Sequence, residues 1–284
     1  FSPANTSPTF TSYDDNGLYF RTAPSDLFQG AVLAETAAND GSTKPAVLAL
    51  QDAYGEGLAN SFADNFTAAG GSLALDPVIY DPQAASFEAE VGQVKAADPD
   101  AVVMIGFNES SKMLQELIKQ GIGPDKVQLY LVDGNLSNTL YEDLPDGILE
   151  GAKGTLPGAE ASDALRESLL AIDPELSDFS YAAESYDAVT TIALGAELAG
   201  SDCGEDIAAA LVEVTNNGAE CTNFADCKAK IDAGEDFNYN GQSGPISFDE
   251  NGDPSEATMG VYIYGADNQY TADEFVSGQV PAAS

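Results

Sequence analysis

Ala46-Val47-Leu48-Ala49-Leu50-Gln51-Asp52-Ala53-Tyr54-Gly55-Glu56-Gly57 opens with five apolar residues and closes in a polar, glycine-bearing loop. The run is too short for a helix and reads as a buried strand. From Gly57 to Ala69, Leu58, Phe62, Phe66 and Ala69 recur at helical spacing, and Gly70-Gly71 ends that face. The rhythm repeats. A strand is expected over Leu73–Tyr80, then a helix from Ser86 carrying Phe87, Val91 and Val94 to Asp98-Pro99. Ala101–Ile105 reads as strand, Ser110–Gln120 as helix closed by Gly121, and Val127–Val132 as strand. Alternating strands and helices across Lys44–Asp133 predict a parallel sheet with helices on both faces, a doubly wound α/β lobe.

The stretch that follows reads differently. Ala164–Ile172, Tyr181–Ala199, Glu205–Val214 and Asn223–Ile231 are helical in pattern, with hardly a strand between them. Such helices need a sheet, which is expected from another part of the polypeptide. Pro245–Phe248 and Thr258–Tyr264 flank the turn-rich Asp249–Pro254 and read as a hairpin.

Composition excludes several classes of function. Forty-seven acidic residues against ten Lys and Arg give a net charge of −37 over 284 residues. That field repels phosphate backbones and anionic membranes, so no nucleic-acid partner is expected; it reads as a solvated acidic exterior tolerant of salt. No His is present, which removes the commonest general base and the Ser-His and Cys-His nucleophile pairs. No acid-base pair emerges from spacing: Asp143, Asp146 and Glu150, like Glu235 and Asp236, read as solvated faces. An enzymatic role is not expected. Cys203, Cys221 and Cys227 are too few and wrongly spaced for a zinc site, and no metal or other cofactor is implied. A disulfide is the better reading, either Cys221–Cys227 or Cys203–Cys221, and it implies an oxidising compartment. No run of eighteen apolar residues occurs. Phe1-Ser2-Pro3-Ala4-Asn5-Thr6 has neither the basic nor the apolar region of an export signal, so any such signal is expected outside this stretch.

Ligands of open α/β sheets bind beyond the carboxyl ends of the strands. Tyr54, Phe107 and Asp133 stand there. Two rings and a carboxylate suit a small molecule with an apolar part and a cationic part. Gly55-x-Gly57 lacks the rest of a phosphate-binding fingerprint, and Asp249-x-Asn251-x-Asp253 has its glycine one place early for a calcium loop and Val261 where a Glu is required, so it reads as a turn.

Ser2-Pro3-Ala4-Asn5-Thr6, Tyr19-Phe20-Arg21-Thr22, Asp52-Ala53-Tyr54-Gly55-Glu56-Gly57-Leu58-Ala59, Gly106-Phe107-Asn108-Glu109 and Val132-Asp133-Gly134, in that order, resemble the branched-chain amino-acid (Leu/Ile/Val) substrate-binding proteins of ABC importers. The resemblance runs to about Tyr270. It implies the periplasmic-binding-protein type I fold, two doubly wound α/β lobes closing as a clamp on an amino acid. It assigns a backbone carbonyl of Ala4 and the hydroxyl of Thr6 to the ligand's ammonium and carboxylate, matches Tyr54 and Phe107 to aromatics of the family's ligand site, and assigns Asp133 to the ligand's ammonium. Phe107 stands where the family has a tyrosine and Asp133 where it has the longer Glu. Tyr186, in Ser185-Tyr186-Asp187-Ala188, matches a helix bordering the cleft, with core packing as the other reading. Family members begin with roughly a hundred further residues, so the first lobe is expected to be incomplete here. Residues 22–152 plus 255–284 are then lobe two, and 1–21 plus 153–254 the remainder of lobe one. The implied partners are a small amino-acid-like ligand and the membrane subunits of an ABC importer. The implied location is extracellular or periplasmic, with lipid anchoring through a segment upstream. A ligand-sensing regulatory domain of the same fold is the alternative, because fold does not fix output.

Overall fold

The computed structural model describes residues 1–281. In chain order, a short 3-10 turn over Pro8–Ser12 precedes α1 (Asp26–Asn39), β1 (Pro45–Leu50), α2 (Ala53–Ala68), β2 (Val78–Tyr80), α3 (Glu88–Ala97), β3 (Ala101–Ile105), α4 (Ser110–Gln120), β4 (Gln128–Leu131) and β5 (Lys153–Pro157). Then come α5 (Asp163–Ile172), α6 (Ala182–Ala199), α7 (Gly204–Val214), β6 (Ala219–Cys221), α8 (Phe224–Ala233), β7 (Phe237–Tyr239), β8 (Glu256–Tyr264) and β9 (Tyr270–Gln279). The chain forms two compact units. Unit one holds Phe1–Ser25, Pro157–Met259 and the segment from Ser277; unit two holds Asp26–Leu156 and Gly260–Val276. The sequence places the changes of lobe at 21/22, 152/153 and 254/255; residues 282–284 of the expected lobe two lie outside the described residues.

Unit two is built on the main sheet, ordered β2-β1-β3-β4-β5-β8-β9. β1, β2, β3, β4 and β5 pair in parallel, with Ala46 opposite Val102, Val102 opposite Leu129 and Tyr130 opposite Lys153. Every residue of β1 and β3 is buried, because helices cover both faces of a parallel sheet and a strand there needs apolar side chains on each side. α2 starts at Ala53 rather than Gly57, because Asp52 caps it by accepting a hydrogen bond from Gly55 N at 2.7 Å. Leu58, Phe62 and Phe66 are buried as the spacing predicts, whereas Ala69 is exposed beyond the helix end. Gly55 packs so closely on Leu50 that a β-carbon would lie 2.2 Å from its carbonyl oxygen. That glycine serves packing.

Two expectations for this part need correction. Leu73–Tyr80 is strand only at its last three residues; β2 is the sheet's edge, and Asp76-Pro77 just before it cannot continue the ladder, since Pro lacks an N–H. The third helix begins at Glu88, two residues after Ser86. β8 likewise does not form its long hairpin with Pro245–Phe248. The turn at Asp249–Pro254 closes with a single antiparallel bridge, Phe248 to Pro254. β8 instead lies between β5 and β9, and its mostly buried side chains from Ala257 to Tyr262 explain why it takes an interior place.

Unit one is helical, and its sheet is small and its own. β6 and β7 pair in parallel, Ala219 with Phe237 and Cys221 with Tyr239. The sequence reading missed β6 and expected a sheet from elsewhere. Instead Leu194, Leu211 and Val214 share a core with Phe20, Phe237, Tyr239 and Phe248. Three-residue strands with exposed Ala219 and Glu220 leave no periodic signal. Cys221 is bonded to Cys227, with Cα atoms 5.4 Å apart, and Cys203 is an exposed free thiol. Not every apolar side chain is covered: Val189 on α6 is 69% exposed and Ile172 on α5 is 84% exposed.

Candidate functional site

Three of the residues singled out from sequence meet in unit two. Tyr54 enters from the first turn of α2, Phe107 follows β3 and Asp133 follows β4, so all three sit at the carboxyl edge of the parallel sheet. The Tyr54 hydroxyl donates to Asp133 Oδ1 at 2.8 Å. The Tyr54 and Phe107 rings lie 5.3 Å apart, tilted by 30°. Phe107 is 44% exposed, while Asp133 and Tyr54 are half-buried. The arrangement is an apolar wall beside an anionic oxygen.

Each member is fixed from behind. Glu109 Oε1 accepts from Phe107 N and from the Tyr80 hydroxyl, both at 2.9 Å. The single Tyr80 hydroxyl hydrogen is shared with Ile105 O at 3.0 Å, and burial, with the Glu109 carboxylate second, pushes its phenol well above the usual range. It therefore stays protonated as a donor. Gly134 lies under the Phe107 ring: a β-carbon there would sit 2.9 Å from Phe107 Cδ1 and 2.5 Å from Gly106 O. Asn135, 1% exposed, closes the turn after β4 by accepting from Val132 N at 2.9 Å, and donates to Met104 O and Ser110 Oγ. Gln29, on α1, donates from Nε2 to Asp133 Oδ1 at 2.9 Å and to Thr155 Oγ1 at 3.0 Å. Sequence reading assigned no role to Gln29, Tyr80, Asn135 or Thr155. The available signal was Gln29 itself, an amide among the apolar residues Phe28, Val32 and Leu33 of α1.

Ala4, Thr6 and Tyr186 belong to unit one. Ala4 is exposed and Thr6 is 3% exposed. Their segment is held by Arg21, which is fully buried; its Nη1 donates to Asn5 O and Ser7 O, on either side of Thr6. Its Nε and Nη2 form a paired contact with Asp253, each at 2.7 Å, so the carboxylate read as part of a turn is also the partner of a buried cation. Asp249 Oδ1, the first acid of that turn, accepts from Asn251 N and Asp253 N. Tyr186 projects from α6 with 40% exposure, outside the buried core of unit one. Asp187 beside it is the buried residue, accepting from the Tyr239 hydroxyl, Gln242 N, and Ser243 N and Oγ. Among the described residues no group of three or more His, Cys, Asp or Glu could hold a metal ion, and no helix is long and apolar enough to cross a membrane.

The strand-end aromatics and the tethered carboxylate make this edge of the α/β sheet the candidate ligand site. The chain belongs to the periplasmic binding protein family, whose profile matches residues 1–268. It is 28% identical over 255 residues to the chemotactic signal transduction system substrate-binding protein BasB of Halobacterium salinarum, an alignment covering 86% of this chain and 59% of that protein. It is 26% identical over 277 residues to Leu/Ile/Val-binding protein homolog 1 of Brucella abortus, covering 95% of this chain and 67% of that one. Among solved structures, the leucine binding protein LivK of Thermotoga maritima superposes with a TM-score of 0.76 at 23% identity, over 96% of this chain and 71% of the other. The fold is that of the type I periplasmic binding proteins, and the family is one of ligand-binding proteins rather than enzymes. The chain spans about three-fifths of the length of BasB.

Proposed function

We propose that this chain is the ligand-binding body of a solute-binding receptor that takes a small amino-acid-like ligand outside the cytoplasmic membrane and delivers it to the membrane subunits of an ABC importer. The observation that carries the reading is Asp133, held at 2.8 Å by the Tyr54 hydroxyl beside the paired Tyr54 and Phe107 rings. A carboxylate meets the ligand's ammonium by a charge-assisted hydrogen bond, and the rings receive its apolar side chain. The contacts assigned to Ala4, Thr6 and Tyr186 belong to the same proposal, as does the division of the chain into two lobes. Support comes from the Leu/Ile/Val-binding relative.

Calorimetric titration of the intact protein with leucine, isoleucine and valine tests this. Asp133→Asn is expected to weaken an amino-acid ligand by about ten- to a hundredfold and to leave the melting temperature nearly unchanged. Equal affinity in the variant refutes the assignment and turns attention to aromatic acids or amides. A second reading, a sensing domain that reports its ligand to a signalling partner, is favoured by the chemotactic relative BasB. Deleting the gene separates the two: loss of ligand uptake supports the importer, whereas loss of the tactic response with uptake intact supports the sensor.

A further inference from the structure

We propose that Gln29 is the positioning residue that orients Asp133 for amine recognition, so that the preference for an amino acid over its deaminated analogue depends on Gln29. This inference rests on the reading of Asp133 given above. Gln29 is 1% exposed on the first turn of α1. Its Nε2 has two hydrogens. One reaches Asp133 Oδ1 at 2.9 Å, and the other faces Thr155, whose Oγ1 lies at 3.0 Å and carbonyl oxygen at 3.4 Å. The acceptors fix which way the amide points, because turning it over would bring its oxygen against a carboxylate and a carbonyl, neither of which can donate.

Gln29 Oε1 is buried and has no hydrogen-bond partner among the described residues. A buried orphan acceptor is unfavourable, so an apolar residue of the same length would suit α1 better if packing were the side chain's task. What the site uses is the donor end. With the Tyr54 hydroxyl at 2.8 Å and Gln29 Nε2 at 2.9 Å, two donors from two different helices converge on one oxygen of Asp133. That convergence holds the carboxylate against rotation before a ligand arrives, and a preorganised acceptor loses less freedom when it binds an ammonium. Thr155, fully buried on β5, anchors the amide from the far side.

The test uses Gln29→Met, which keeps length and volume and removes both donors, and measures the affinity of the intact protein for L-leucine and for its 2-oxo acid by calorimetry. The wild type should prefer leucine. Gln29→Met should cut that preference about tenfold through weaker leucine binding, with the oxo acid unchanged within about twofold, and should have no further effect on the preference in an Asp133→Asn background. Thr155→Val, which loosens the same amide without touching Asp133, should move the preference the same way by about threefold and serves where Gln29→Met folds poorly. Equal loss for both ligands, no loss, or additivity with Asp133→Asn overturns the role of Gln29. If Asp133→Asn lowers the preference while Gln29→Met and Thr155→Val do not, the amine reading stands and this inference alone fails. A wild type with no preference for leucine, or an Asp133→Asn variant that keeps it, overturns both.

Discussion

The two units are stabilised in different ways. In unit two, layers do the work: β1 and β3 are buried along their whole lengths, and α2 and α4 each lay an apolar face down. Among its buried polar groups, Gln29, Asn135, Ser110 and Thr155 brace the site. In unit one the sheet is two strands of three residues each, and single polar or covalent centres join its segments. Arg21 pairs with Asp253 across 232 positions, Asp187 ties α6 to the stretch from Tyr239 to Ser243, and Cys221–Cys227 pins β6 to α8. Layers tolerate loss at one point because the burden is shared. Point ties do not.

The hardest test of that contrast is Arg21. Its guanidinium is fully buried and satisfied by Asp253, Thr11 and the carbonyls of Asn5 and Ser7. Replacing it leaves the Asp253 carboxylate buried without its cation, which costs about 3–5 kcal/mol. Arg21→Met should therefore lower the denaturant midpoint strongly, and hydrogen exchange should show lost protection in unit one. Loss of protection first in β1 and β3 would show that the polar tie is not what holds unit one.

Glu184, in the first turn of α6, is 1% exposed, with Oε1 lacking a hydrogen-bond partner among the described residues. Burial, with the nearby Asp187 charge adding to it, pushes its carboxyl from 4.5 up to about 8. Between those values the folded protein keeps a proton that the unfolded chain releases. The stabilisation is thus complete below about 4.5 and is lost as pH rises to about 8, at up to about 1.4 kcal/mol per pH unit. Glu184→Gln, uncharged throughout, should remove this slope: unfolding curves at pH 5, 6, 7 and 8 should show the wild type losing stability relative to the variant. Curves that stay parallel would place that carboxyl in a wetter environment.

The same contrast explains what could be read from the sequence. Leu58, Phe62 and Phe66 at helical spacing, and unbroken apolar runs at Ala46–Leu50 and Ala101–Ile105, are local records of layered burial, so the stretch from β1 to β4 was legible, whereas α1, β5 and β9 were not read from the sequence. Tyr54, Phe107 and Asp133 were found by the rule that strand ends face ligands. Gln29 was not, because its partner is 104 positions away and its one local mark, an amide among apolar residues of α1, names no partner. β6 was missed since three residues carry no period, and the role of Arg21 was hidden because Asp253 looked like one acid of a turn. The resemblance to binding proteins supplied the fold family, which periodicity alone does not contain.

Cys221–Cys227 closes a loop only six positions long, so its constraint on the unfolded chain is modest, about 2 kcal/mol. The double variant Cys221→Ala, Cys227→Ala should lower stability by that amount. Hydrogen exchange should rise at β6, β7 and the start of α8 and stay unchanged in the strands of unit two. A uniform rise would mean that the two units unfold together, and the distinction between layers and point ties would then describe geometry without describing cooperativity.

The smallest effect belongs to the layered region, where one helix ends badly. α3 stops at Asp98, which adopts a left-handed conformation with φ of 52°, while the neighbouring α4 stops at Gly121 with φ of 80°. Glycine meets no β-carbon penalty there, and an aspartate at a helix C-terminus also faces the negative end of the helix dipole. Asp98 is exposed, and Lys44 Nζ bonds its backbone carbonyl at 3.1 Å, a contact that survives loss of the side chain. Asp98→Gly should therefore stabilise the protein, by about 0.5 kcal/mol once the greater freedom of glycine in the unfolded chain is set against the relief of strain. Asp98→Asn separates the two causes, since asparagine removes the charge and keeps the β-carbon. If the asparagine variant gains as much as the glycine variant, the dipole accounts for the effect; if it gains nothing, the backbone does. A loss of stability in both would mean that the Asp98 carboxylate makes a favourable contribution on this surface that outweighs both penalties.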